Sequence, residues 1–375
     1  MRFGARLPTR PSPPRLASPT TTQRRKGNGP VSEEKQHPAG KPASPKTNAG
    51  TASDPVVLSL GETLIDLIAS DGATSLKEAS TFQARPGGAP ANVAVALARL
   101  SDPSAFAGVV GADPFGERLH DSLIAERVDV SRLRSTPQAE TTLAFAWKDA
   151  RGDGHFRLLR GADTLLDDND IEAAAIQDTL AIVVGSVALA GEPSRAAITS
   201  ATLRAAQAKV PVCFDVNVRP SLWPNLHVVR DACLPILRHA TLVKMSLDDA
   251  RFLFTTIDPA TIVDEVWSLR SPRPDDARLS VVLTDGAQGC WYASPSADEP
   301  VRHVPAFPVE AVEPTGAGDA FTAALISRLI AGHWGPLEDA DVRYAAAAGA
   351  FATTRPGAWD GLPTLAELNR FISEQ

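Results

Sequence analysis

From about residue 56 the apolar positions alternate between two rhythms, short solid runs and longer stretches spaced three to four apart. Val56-Val-Leu-Ser-Leu60 is a short run closed by Gly61, the pattern of a buried strand. Similar runs at 180–187, 212–216, 242–245, 280–284 and 290–293 predict further strands, and Phe106–Gly116 reads as a strand entering a glycine-rich loop and a new helix. Between them, helical spacing predicts helices over 89–100, 193–208, about 228–237 and 345–354. Thr141–Lys148 and His155–Arg160 predict a hairpin about Arg151-Gly-Asp-Gly154, while 71–85 is polar and reads as an exposed excursion. Regular β–α alternation implies right-handed crossovers, hence a mainly parallel sheet with helices on both faces. Ligands then gather beyond the carboxyl ends of the strands.

Composition separates the first 54 residues from the rest. They hold ten Lys/Arg, three Asp/Glu and nine Pro, with no apolar periodicity, and predict a disordered basic arm. The remainder of the 375-residue chain keeps 27 basic against 41 acidic residues, an acidic body that argues against nucleic-acid binding. The arm is acid-free until Glu33 and rich in Arg, Ser and Thr, so an organelle transit peptide is one reading and a dispensable tail the plainer one. A cytoplasmic location follows from the second reading and an organelle stroma from the first. No run is long enough to span a bilayer, and Cys213, Cys233 and Cys290 are spaced as core thiols of a reducing compartment.

Chemistry concentrates in Val312-Glu-Pro-Thr-Gly-Ala-Gly-Asp-Ala-Phe321, where a glycine turn runs into a helix with apolar Phe321, Ala324, Leu325, Ile326 and Leu329. The amides of Gly316, Ala317 and Gly318 at such a helix start form a site for an anion. Asp319 in the first turn is placed to act as a general base beside it. An aspartate of ordinary pKa is already ionised at pH 7. A capped helix start with an acidic first turn is the plainer alternative for these residues alone. Two further segments, Gly87-Gly88-Ala-Pro-Ala-Asn92 and Thr284-Asp-Gly286-Ala-Gln-Gly289, decide between the two readings.

Together the three segments resemble the PfkB (ribokinase-like) sugar kinase family, more closely its fructokinases, from about Val56 to the C-terminus. The resemblance implies a three-layer α/β sandwich with a small β lid, drawn from about 70–86 and 140–162 of a single kinase domain over 55–375. It implies ATP-dependent phosphorylation of a sugar's primary hydroxyl, with Mg2+ on the phosphates and K+ as a candidate activator. Sugar contacts are expected from Asp66, Gly87, Gly88 and Asn92. They are also expected from Arg160 of Arg160-Gly-Ala-Asp163, and from Asp215, Asn217 and Arg219 of Asp215-Val-Asn-Val-Arg-Pro-Ser-Leu-Trp223. On an extended backbone Asp215 and Asn217 face the same side. The nucleotide is expected against Ser246, Thr284, Gly286, Gly289 and Gly318, with Asp249 toward magnesium and Glu313, Thr315 and Gly357 toward a monovalent cation. Ser246 and Asp249 replace the family's Asn-x-x-Glu, and a helix cap explains those residue types equally well. Partners are then ATP and a small sugar, and a homodimer through the lid is an expectation carried by the resemblance alone.

Fructose is the sugar expected from Arg160–Asp163 and Asp215–Trp223, giving fructose 6-phosphate. The rival is 2-keto-3-deoxygluconate, whose carboxylate would need Arg219 or Arg85. A non-catalytic sugar sensor on the same fold would be marked by loss of Asp319 or the glycines, and both are intact. A dinucleotide-dependent dehydrogenase would need G-x-G-x-x-G after the first strand, where Gly61-Glu-Thr-Leu stands instead.

Overall fold

The computed structural model describes residues 55–151, 154–270, 279–294 and 301–375. The basic arm and the tip of the predicted hairpin, residues 152 and 153, lie outside them. The strands are β1 (Val57–Leu60), β2 (Leu64–Ala69), β3 (Phe82–Gly87), β4 (Ser104–Gly111), β5 (Asp129–Thr136), β6 (Leu143–Lys148) and β7 (Gly154–Leu159). They continue as β8 (Ala181–Gly185), β9 (Val212–Asp215), β10 (Leu242–Ser246), β11 (Ser280–Thr284), β12 (Cys290–Ala293) and β13 (Arg302–Val304).

A nine-stranded sheet runs in the order β13-β12-β11-β10-β9-β8-β1-β4-β5. From β5 to β11 every pairing is parallel, and only β12 and β13 return antiparallel. The chain builds outward from β1 through β4 and β5, then on the other side through β8 to β11. That reversal opens a crevice beyond the carboxyl ends of β1 and β8.

Period-two alternation sorts the strand residues onto two cores. Leu58, Ile182, Phe214 and Val243 pack with the Ser194–Ala208 and Leu226–Leu237 helices. Val57, Val183, Cys213 and Leu242 pack with the Ala89–Arg99, Ala317–Ala331 and Asp339–Thr353 helices. The same alternation carries two charged residues, Asp215 and Lys244, onto the second face, where both are buried. All three cysteines are free and buried, and burial pushes their thiol pKa values up.

The second sheet has the order β3-β2-β6-β7, with β2 and β6 parallel and the outer pairs antiparallel. Two of its members differ from expectation. β2 belongs to it although it precedes residue 70, and β3 forms inside the stretch read as an excursion. β3 alternates only briefly, with Phe82, Ala84 and Pro86 against Gln83 and Arg85, and its pairing with β2, with Asp66 opposite Arg85, holds this short stretch as a strand. As an edge strand it tolerates Pro86, which cannot donate to a ladder. The Asp339–Thr353 helix likewise begins at Asp339 rather than Ala345, because its polar first turn, where Asp341 Oδ2 accepts the Glu338 N–H at 3.1 Å, hides the apolar period. Among the described residues no helix is long and apolar enough to cross a membrane.

Candidate functional site

A cavity of about 280 Å³ lies at the crevice, lined among others by Glu62, Asp66, Asn92, Arg219, Lys244 and Asp319. The turn before the Ala317–Ala331 helix brings its N-terminus to this cavity. Gly316 caps the helix at φ 84, a left-handed conformation suited to glycine, and a Cβ there would lie 3.0 Å from the Ala358 carbonyl. The N–H groups of Gly316 and Gly318 donate to no atom of the described residues, whereas Ala317 N–H donates to the Pro314 carbonyl at 3.1 Å. Of the three amides expected to face an anion, Gly316 and Gly318 keep free N–H groups among the described residues, while Ala317 is engaged in closing the turn.

Asp319 is only 7% exposed. Its Oδ2 accepts a 2.7 Å hydrogen bond from Asn92 Nδ2, and Asn92 Oδ1 accepts one of 2.7 Å from the Trp359 indole. Burial lifts the Asp319 pKa to about 6, assisted by the charge of Asp215 and opposed by the Asn92 hydrogen bond, Lys244 and Arg219. The expectation of an ordinary carboxylate is thus corrected, although at pH 7 the ionised form still prevails. Asp66 is pushed to about 7 by burial, with Glu313 and Asp319 raising it and Arg219 opposing. It lies over Gly87, where a Cβ would fall 2.1 Å from its Oδ2. Gly88, at φ 103, presses on the Glu62 carbonyl, which a Cβ would meet at 2.6 Å. Both glycines thus exist for close packing around the cavity.

Three residues that the sequence patterns did not single out contribute to the site. Lys244 Nζ lies 3.1 and 3.3 Å from the two Asp215 carboxylate oxygens, and a Cβ on Gly318 would meet that ammonium at 2.9 Å. Burial pulls the Lys244 pKa down, but the carboxylates of Asp215, Asp319 and Asp249 outweigh it and hold the group charged. Glu62 accepts the Ala89 N–H at 3.2 Å through one oxygen, while its other oxygen is buried with no hydrogen-bond partner among the described residues. Burial raises its pKa to about 7, the charge of Asp163 adding to the rise. Trp359 is the third. A charged residue at an inward position of a strand was the available signal for Lys244; nothing local marked Glu62 or Trp359.

Several expected sugar contacts fall elsewhere. Asp215 is spent on Lys244 and on Thr322, whose hydroxyl donates to Oδ2 at 2.8 Å, so it lies beneath the cavity rather than in it. Asn217 does line the cavity, but through a left-handed backbone at φ 42, because β9 ends at Asp215. The premise of an extended backbone fails there, and the two side chains diverge. Arg219 Nη1 donates to Asn217 Oδ1 at 2.5 Å and also lines the cavity. Arg160 is absorbed by Asp163 at 2.8 Å and the Val187 carbonyl at 2.9 Å, which fasten the end of β7 to the main body.

Ser246 and Asp249 form a capping box on the Leu247–Leu253 helix. Asp249 Oδ2 accepts Ser246 N–H and Oγ–H at 3.0 and 2.7 Å, and Oδ1 accepts Val218 N–H at 2.8 Å. Both Asp249 oxygens thus accept hydrogen bonds within the protein, in the manner of a helix cap. Ser246 stands beside Thr284 in the β10–β11 register, so these two strand ends do come together. Gly289, at φ 92, is required by close packing, since a Cβ would fall 2.2 Å from the Val304 carbonyl, whereas a Cβ on Gly286 meets nothing within 4 Å. Glu313, Thr315 and Gly357 also converge, but on one another. Thr315 Oγ1 and Gly357 N–H donate to the two Glu313 oxygens at 2.8 and 3.0 Å. Among the described residues no group of three or more His, Cys, Asp or Glu is placed to hold a metal.

The pfkB family carbohydrate kinase model matches residues 55–365. Fructokinase-1 of Zea mays is 37% identical over 328 residues, 85% of this chain and 98% of the relative. A fructokinase from Xylella fastidiosa with bound ATP superposes with a TM-score of 0.73 at 30% identity, covering 85% and 98% of the two chains. A fructokinase variant from Vibrio cholerae O395 with fructose, ADP and potassium ion gives 0.71 at 31%, covering 85% and 99%. A match of that extent, on a sheet whose crevice carries a buried aspartate at a glycine-capped helix start, makes this chain a member of the pfkB family of carbohydrate kinases.

Proposed function

We propose that the protein transfers the γ-phosphoryl group of ATP to the 6-hydroxyl of D-fructose, yielding fructose 6-phosphate. The observation that carries this reading is the Asp319 carboxylate, buried in the cavity wall one residue beyond the Gly318 amide. A hydroxyl held against Asp319 loses its proton to Oδ1 or Oδ2 as it attacks phosphorus, and ADP leaves with the γ-bond electrons. The Gly316 and Gly318 amides, at the positive end of the Ala317–Ala331 helix, face the charge that develops on the transferring oxygens. Asp66, Asn92 and Asn217 offer acceptors and donors to sugar hydroxyls. The small sheet is the natural cover that keeps water from competing as acceptor. Magnesium, when bound with the nucleotide, neutralises charge on the phosphates.

Fructose is supported by the similarity to fructokinases along almost the whole length of those relatives. The Arg219 guanidinium in the cavity supports a second reading, a sugar acid such as 2-keto-3-deoxygluconate. Arg85 does not serve that reading, because it is paired with Asp360. The test is ADP release with fructose, 2-keto-3-deoxygluconate, ribose and adenosine in competition, with phosphoglucose isomerase coupling to identify the product. Fructose should win and the coupled signal should appear; preference for the sugar acid would replace the substrate, and no turnover with any of them would end the kinase reading.

A further inference from the structure

Asn92 touches Asp319 through an amide whose two ends are sterically alike but chemically opposite. Turned one way it donates to the carboxylate; turned the other it aims a carbonyl oxygen at it. An indole N–H is a donor and never an acceptor. Trp359 Nε1 meets the Asn92 side chain at 2.7 Å, so the atom facing it must be oxygen, and the Nδ2 donor is left for Asp319 Oδ2 at 2.7 Å.

The indole is itself held from the helix that carries Asn92. Arg99 lies seven residues further along the Ala89–Arg99 helix, about two turns. Its Nη1 donates to the Trp359 carbonyl at 2.5 Å and to the Leu362 carbonyl at 2.9 Å, and its other nitrogens pair with Glu126 at 2.6 and 2.8 Å. One helix therefore presents the amide and also grips the segment that orients it. Trp359 is 8% exposed and does not line the cavity, so it reaches the reaction only through Asn92.

We infer that Trp359 is a positioning residue for phosphoryl transfer, locking the Asn92 amide so that it always donates to Asp319. This rests on the proposed role of Asp319 as base. With the lock in place, the donated hydrogen bond favours the ionised carboxylate and partly offsets burial and the Asp215 charge. The other charged groups bearing on Asp319 are Lys244 and Arg219, and Asp66 across the cavity. Without the lock, the amide samples the flipped state, whose carbonyl repels the carboxylate and favours its protonated form.

The test is the pH profile of kcat for Trp359→Phe with fructose and Mg·ATP. The acid limb should move up by about one pH unit, so kcat falls roughly tenfold near pH 5.5 and recovers to within about twofold of wild type near pH 8.5. An even loss across the range, or an unmoved limb, overturns the inference. If the Phe variant folds poorly, site-specific 3-benzothienylalanine at position 359 keeps the ring shape and removes only the N–H. That protein must show the same shift, and a wild-type profile from it overturns the lock. Absence of wild-type turnover would instead count against the reaction itself, so the two failures are distinct.

Discussion

At the scale of single residues, the site is a balance of buried charges. Asp319 is the proposed base, and Asp319→Asn should lower kcat by about 10²–10⁴-fold with modest change in sugar KM, measured by steady-state kinetics. Near wild-type kcat would remove it from the mechanism. The sign of the pH dependence follows from the raised pKa of about 6. The base works only when ionised, so activity should fall as pH drops through 6 and level off above 7. Linkage gives the companion effect on stability. A carboxyl whose folded pKa exceeds its unfolded value binds protons more tightly when folded, so Asp319, Glu62 and Asp66 each cost stability as pH rises from about 4 to about 7. Lys244 tests the balance from the other side. Lys244→Met leaves Asp215 buried without its cation and should destabilise by roughly 3–5 kcal/mol in chemical denaturation, by the usual cost of an uncompensated buried charge. Adding Asp215→Asn should return much of that loss; if it returns none, the pair is not what holds Lys244 in place.

At the scale of elements, the same residue types serve caps and ligands, and only geometry separates them. Ser246 and Asp249 satisfy each other at the head of a helix, which accounts for both side chains without a nucleotide. Ser246→Ala should therefore cost about 1 kcal/mol, seen as a lower midpoint in urea, and leave the KM for ATP within about twofold. A severalfold rise in that KM with unchanged stability would restore the nucleotide-binding role. The glycines divide in the same way. Gly88 and Gly289 are demanded by carbonyls a Cβ would strike, whereas Gly286 has open space and only its φ of 49 to explain it.

At the scale of the whole molecule, the order of strands creates the crevice, and the small sheet closes over it. Arg160 with Asp163 and Arg85 with Asp360 fasten that sheet to the main body at two places. The family match begins at residue 55, so a chain lacking residues 1–54 should keep its kcat within about twofold in the same assay. A large loss would give the arm a part in catalysis that its composition does not suggest.

What the sequence determined by itself is local. The period-two and helical rhythms place most of the central sheet, and 280–284 and 290–293 are found at their observed limits. The glycine turn before Asp319 and the Gly87-Gly88 entry to the Asn92 helix were legible as glycine-led helix starts, and Gly88, Asn92, Gly316 and Gly318 all line the cavity. The tertiary structure decided which charges meet. β3 is held as a strand by β2 beside it; Asp215 leaves the cavity because Lys244, 29 residues on, claims it, and Asp319 is tuned by Asn92 and by Trp359 beyond it. Hydrogen bonds and Coulomb forces act over a few ångströms of space, and separation along the chain carries no record of which distant groups will come within that reach.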